Sequence, residues 1–295
     1  MAYIHPSRYQ HPLDKTLLDK MRATVGVDAL VSAASSAYQE RVNRIELLGN
    51  GVLVTERSFP KLKAAMVNTS AVLGIKEPEV YVVGNGEPNA YTSGIKNPFI
   101  VISQELLRRI SPDEAAGILA HECGHIACEH LLWHNVLMTA MSGIGSLSKI
   151  AATAFTLMSP FVFKWYRASE YSADRAAVVA LGHPAPIQGG LMKLLTGHTG
   201  FESELDIEEI CNQADRLDEY LGESFWNKLL GVTQRIFLTH PWTIVRIREL
   251  HRWEASGDLA EVLNDPDRQG ESLVSREGVA STEGDIGNVS SALDM

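Results

Sequence analysis

Apolar residues recur at three- and four-residue spacing through 13–47, which predicts helices that stop near Gly49-Asn50-Gly51. Another helix is expected after Pro60, through Leu62, Met66 and Val72 to Gly74. Then the period shortens. Residues 79–83 read as a strand, Gly84-Asn85-Gly86 as a turn, Asn89-Ala90-Tyr91-Thr92 as a short strand and residues 98–102 as a third. Ser111, Pro112 and Glu114 stand at N-cap, N1 and N3, a capping box opening a helix that runs through Ala120 into His121. Helical patterning resumes from about Lys164 to Leu181, with Gly182 as the stop, and again over 206–237 and 241–254. No internal repeat is present. The expected fold class is α+β, mainly helical, with a small sheet beside the helix that Ser111 opens.

Composition narrows this picture. The 295 residues are 45% hydrophobic and 21% charged, ordinary globular usage. The net charge of −10 argues against a nucleic-acid partner, since phosphate affinity needs a basic surface. Most of that charge lies in 255–295, where nine acidic residues face two arginines, and this segment is expected to be an acidic, disordered tail. Cys123, Cys128 and Cys211 form no C-x-x-C pair, which fits free thiols in a reducing compartment. The first fifteen residues hold no apolar core, so no secretory signal is expected. Between Leu131 and Phe163 the chain is almost uncharged apart from Lys149. Its arms of thirteen (136–148) and fourteen (150–163) residues fall short of the ~17–25 a spanning helix needs, and Gly143, Gly145 and Pro160 interrupt them. A buried hairpin is the expectation; shallow insertion into a membrane face is the alternative.

Chemistry concentrates at His121-Glu122-Cys123-Gly124-His125. On a helix, residues four apart lie about 40° apart around the axis, so both imidazoles face one point and can share a metal. Glu122 sits about 100° round from His121 and can reach a water at the metal without ligating the ion. A catalytic zinc wants three protein ligands and an open position. Glu170 and Asp174, four apart on the next well-marked helix, supply a third ligand (Glu170) and a carboxylate to accept the outer N–H of a liganding imidazole (Asp174). Cys128 shares the stripe of the two histidines but would close the open position, so it reads as a small buried hydrophobe, as does Cys123. His130 and His134 are expected at the surface or partly satisfied, with no carboxylate partner in view.

H-E-C-G-H followed by E-Y-S-A-D resembles the HtpX-like and CAAX-prenyl-protease group of zinc endopeptidases. Asn89-Ala90-Tyr91-Thr92-Ser93-Gly94 is similar to the group's N-A-F/Y-x-x-G. Thr239-His240-Pro241 with Arg246, Ile247 and Leu250 is similar to its H-P-x-x-x-x-R-I-x-x-L. The resemblance covers Asn89 to Leu250. It implies a zincin-type peptidase domain holding one Zn²⁺ per chain on His121, His125 and Glu170, with Glu122 as general base. It implies too that Asn89, Ala90 and Tyr91 form an edge strand to which an extended substrate adds, and that His240 or Arg246 steadies the oxyanion. No counterpart of the N-terminal transmembrane helices of membrane members is expected in this sequence.

The expected organisation is an N-terminal helical segment (1–75) packed on a peptidase domain (76–254), then the tail (255–295). The expected activity is zinc-dependent endoproteolysis of protein or peptide substrates, with protein quality control as its setting. A catalytically silent zinc-binding scaffold is the alternative. The expected location is cytoplasmic, with peripheral membrane contact through 131–163 left open.

Overall fold

The computed structural model describes residues 3–23, 37–84, 86–141, 149–197, 204–224 and 242–264. After a 3₁₀ turn at Pro6–Arg8 come α1 (Pro12–Arg22), α2 (Ala37–Asn50), β1 (Gly51–Leu53), α3 (Pro60–Leu73), β2 (Glu79–Val83), β3 (Ala90–Ser93) and β4 (Phe99–Ser103). Then follow α4 (Gln104–Arg109), α5 (Pro112–Ala127), α6 (Leu131–Met141), α7 (Lys149–Leu181), α8 (Ala185–Thr196), α9 (Ile207–Gly222), α10 (Thr243–Ala255) and α11 (Asp258–Leu263). The architecture is α+β and mainly helical, as the pattern predicts.

Local signals set several of these boundaries. Pro60 opens α3, and Gly74, left-handed at φ 65°, ends it. The capping box at α5 is complete: Glu114 N–H donates to the Ser111 hydroxyl, and the Glu114 carboxylate accepts from Ser111 N–H at 2.6 Å. Ser103 ends β4 and caps α4, its hydroxyl accepting from Leu106 N–H and from Asn89 N–H.

The four strands run in the order β1-β2-β4-β3, with β2 and β4 parallel and the outer pairs antiparallel. Val80, Val82, Ile100 and Ile102 face the main core, which includes α5. Tyr81, Phe99 and Val101 face the other way, onto Leu47 of α2. Central β4 is covered on both faces, which explains its unbroken apolar sequence. β3 is an edge strand, and Ala90 and Thr92 share the side that faces α5.

Two expectations change. The helix read from about Lys164 begins at Lys149 and continues through Pro160, so the second apolar arm and the Glu170-bearing helix are one element. Proline removes one backbone bond and crowds the preceding turn, yet neighbouring turns keep this helix continuous. α6 and α7 lie side by side, and Trp133, Leu137, Val162 and Trp165 pack with Leu17, Leu18 and Met21 of α1. The connection 142–148 lies outside the described residues. No described helix is long and apolar enough to cross a membrane. The segment expected as tail also begins later than 255: α11 buries Leu259 and Val262 in the main core, apolar positions that an acidic average conceals. Residues 265–295 lie outside the described residues.

What positions the site is the approach of α5 to α7. A Cβ on Gly124 would stand 2.7 Å from Ala176 Cβ and 2.8 Å from Ala173 Cα. Only glycine lets the two backbones come this close. Gly124→Ala gains up to ~1 kcal/mol of helix propensity, but overpacking against a neighbouring backbone costs about 1–3 kcal/mol. The expected outcome is a net loss, read as a Tm lower by several degrees at ~2–4 °C per kcal/mol.

Candidate active site

α5 carries His121, Glu122 and His125, and α7 carries Glu170 and Asp174; all five side chains are buried. The two Nε2 atoms of the histidines are 3.2 Å apart. Glu170 approaches His121 Nε2 with Oε2 and His125 Nε2 with Oε1, each at 3.5 Å. In a tetrahedral zinc site with ligands at ~2.0–2.2 Å, the ligand–ligand edges are about 3.3–3.6 Å. The two ring nitrogens and the carboxylate that straddles them are therefore spaced much as donors to one such ion would be.

The donor chemistry agrees. The His121 ring meets Asp174 Oδ1 at 2.9 Å through Nδ1, which places a proton there and leaves Nε2 facing His125 and Glu170. The rings titrate apart. Burial and the Arg246 charge act to lower His121, but its bonds to Asp174 and Glu170 prevail and raise it to about 9. Burial holds His125 well below the ordinary imidazole value. At neutral pH the pair thus carries one proton more than two neutral imidazoles would, and a bound cation would take its place.

Arg246 of α10 is buried behind this ring. Its Nε and Nη2 donate to the two oxygens of Asp174 at 2.9 and 2.6 Å, and Nη1 lies 3.2 Å from Glu170 Oε2. Burial acts to raise the Asp174 carboxyl, but the Arg246 charge and hydrogen bonds hold it below the usual carboxylate range. The planar fork of Arg246 braces the two carboxylates of α7, and the residue also lines the cavity beside His121 and Glu122. His240 lies outside the described residues.

Glu122 points to the sheet side. Thr92 of β3 donates its hydroxyl to Glu122 Oε2 at 2.6 Å. Thr92 stands inside the motif read as substrate-binding, but the sequence assigns it no task; the contact spans thirty positions between strand and helix. Asn89 and Ala90 line a cavity of about 350 Å³ together with Leu106, Ile118, Leu194 and Arg246, and His121 and Glu122 form part of its wall. Tyr91 points to the opposite side of the sheet and is half exposed. Among the described residues no strand pairs with the outer edge of β3.

Cys123 and Cys128 are buried and free, as expected. His130 and His134 are not surface rings. His130 is fully buried and meets Asp14 of α1 at 2.9 Å, while His134 lies against Ser169 at 3.0 Å. The partner of His130 comes from more than a hundred residues upstream, beyond any local pattern.

Fold and site together define a metallopeptidase, a hydrolase whose activity depends on a bound metal. Residues 56–254 match the family model for peptidase family M48, and the chain belongs to that family as an HtpX-like member. It is 28% identical over 263 residues to the plastoglobule-localized metallopeptidase 48, chloroplastic, of Arabidopsis thaliana, across 88% of this chain and 76% of that protein. It is 31% identical over 229 residues to a protease HtpX homolog of Halobacterium salinarum, covering 66% of this chain and 78% of the relative. A protease HtpX homolog of Acidiphilium cryptum is 26% identical over 231 residues, 68% of this chain and 77% of the relative. No solved structure matches.

Proposed function

We propose that this chain is a zinc endopeptidase with His121, His125 and Glu170 as the metal ligands and Glu122 as the general base. The observation that carries the reading is the cluster of donor atoms, two ring nitrogens 3.2 Å apart with a carboxylate oxygen 3.5 Å from each, and Glu122 beside it. Zinc held there would polarise the scissile carbonyl and acidify a water. Glu122 takes the proton of the attacking water and later delivers it to the leaving amine, and Thr92 holds the carboxylate in place through Oε2. Asp174 fixes the His121 tautomer, and Arg246 fixes Asp174 and Glu170. His240 or Arg246, which lines the cavity, steadies the oxyanion. The outer edge of β3, at Asn89 to Tyr91, takes an extended substrate as an added strand.

The test is metal content and its consequence. Purified protein should carry one zinc per chain, lose cleavage of an unfolded protein such as casein on chelation, and regain it with stoichiometric zinc. Protein that binds zinc but never cleaves would favour a scaffold. Asp174→Asn should weaken metal affinity or activity about 10–100-fold, measured by chelator competition alongside turnover; wild-type values for both would remove Asp174 from the site.

The substrates we propose are proteins or peptides in extended form, met in protein quality control. Three free thiols support a cytoplasmic setting. The plastoglobule in one relative's name supports peripheral contact with a membrane surface, for which 131–163 is the candidate segment.

A further inference from the structure

Behind His125, on the side away from this donor cluster, lies a second buried polar chain that the proposed mechanism does not use. His125 Nδ1 is 2.9 Å from His130 Nδ1, and His130 Nε2 is 2.9 Å from Asp14 Oδ2. Asp14 and His130 are both fully buried. Asp14 also accepts from Trp165 Nε1 at 2.8 Å, from the Ser172 hydroxyl at 2.6 Å and from Gln10 at 2.9 Å. Ser172 in turn accepts from the backbone N–H of His11, the residue that caps α1. The first turn of α1 is thereby bolted to α7 at the level of Glu170.

The end of α5 is built to bring His130 to this place. Cys128 caps the helix, and Glu129 turns left-handed at φ 60°. His130 N–H then reaches back to His125 O at 3.0 Å, and Glu129 N–H to Ile126 O at 3.1 Å. These two bonds make a Schellman motif with a non-glycine residue in the left-handed position. The reversal lays the His130 ring against that of His125.

Two imidazole nitrogens 2.9 Å apart require one proton between them, and its place follows from the surroundings. His125 Nε2 faces His121 Nε2 and Glu170, so its lone pair is directed there and its proton is on Nδ1. His130 Nδ1 must then accept, which puts the His130 proton on Nε2, where Asp14 receives it. A single assignment satisfies every atom of the chain. It matches what Asp174 does for His121, except that the carboxylate acts through an intervening ring.

We propose that Asp14, acting through His130, is a positioning residue for the metal ligand His125. The proposal rests on the reading of His125 as a ligand. It places one determinant of the metal centre in α1, upstream of the residues 56–254 that match the family model. A second cation on His125, His130 and His134, whose ring nitrogens lie within 4.8 Å of one another, is disfavoured by the protons that this chain puts on their contacts.

The test uses the full-length chain, wild type against Asp14→Asn, His130→Leu and His130→Asn. The readouts are zinc affinity by chelator competition and the visible absorption of the Co²⁺-loaded protein. Asp14→Asn keeps shape and removes charge, and His130→Leu removes the relay; each should weaken zinc about 10–100-fold and shift the Co²⁺ bands. His130→Asn puts an acceptor near the position of Nδ1 and should recover part of the affinity that leucine loses. Folded Asp14→Asn and His130→Leu proteins with wild-type affinity and unchanged Co²⁺ bands would overturn the proposal. Should the variants fail to fold, ¹⁵N spectra of the zinc-loaded wild-type histidines decide: His130 protonated on Nε2 and bare on Nδ1 supports the relay, and the opposite tautomer overturns it. Two zinc ions per wild-type chain with His130 ligated would overturn it as well. A wild-type chain that binds no zinc sinks the zinc reading and this proposal with it, an outcome distinct from variants that bind as well as wild type.

Discussion

Glu122→Gln leaves the metal bound and lowers proteolysis by about 10²–10⁴-fold, the usual contribution of a positioned general base. The amide has the shape of the carboxylate and can still accept the Thr92 hydroxyl bond, made at 2.6 Å in the wild type. It cannot take a proton from water. None of the three proposed ligands changes, so metal content is expected to stay at the wild-type level. Casein cleavage and elemental analysis on the same preparation check this. Turnover within a factor of a few of wild type would move the base to another residue; loss of the metal would mean that Glu122 serves as a ligand.

Arg246→Met removes the cation that faces two buried carboxylates. Asp174 and Glu170 then keep their burial without the guanidinium at 2.6 and 3.2 Å. Breaking a buried pair by deleting one partner costs about 3–5 kcal/mol. At ~2–4 °C per kcal/mol, Tm falls by roughly 6–20 °C. The loss should be larger in metal-free protein, because a bound cation compensates Glu170 on its other side. Thermal unfolding with and without zinc measures both parts. A Tm within two degrees of wild type in the metal-free state would show that Arg246 does not brace these carboxylates.

The elements that the sequence discloses are those whose signals are local. Ser111, Pro112 and Glu114 announce α5 within four residues, Pro60 and Gly74 bracket α3, and Gly182, left-handed at φ 81°, ends α7 where expected. His121, His125, Glu170 and Asp174 are legible for the same reason, since helical spacing alone puts each pair on one face. β1 is missed because three residues are too few to show a period. α7 is cut short in the reading because Pro160 argues against a helix that neighbouring turns sustain. Thr92 and Asp14 escape altogether: their partners Glu122 and His130 lie in other elements, and a threonine in a strand or an aspartate in a first helical turn has an ordinary local explanation. Arg246 is found in its motif, but the turn of its fork toward Asp174 and Glu170 shows only in three-dimensional contacts.

The close approach of main chain to main chain at Gly124 and Ala173 fixes the spacing of α5 and α7 without regard to side-chain rotamers. An ion held by side chains of both helices would clasp two stretches of chain that are distant in sequence, and would slow the parting of the pair.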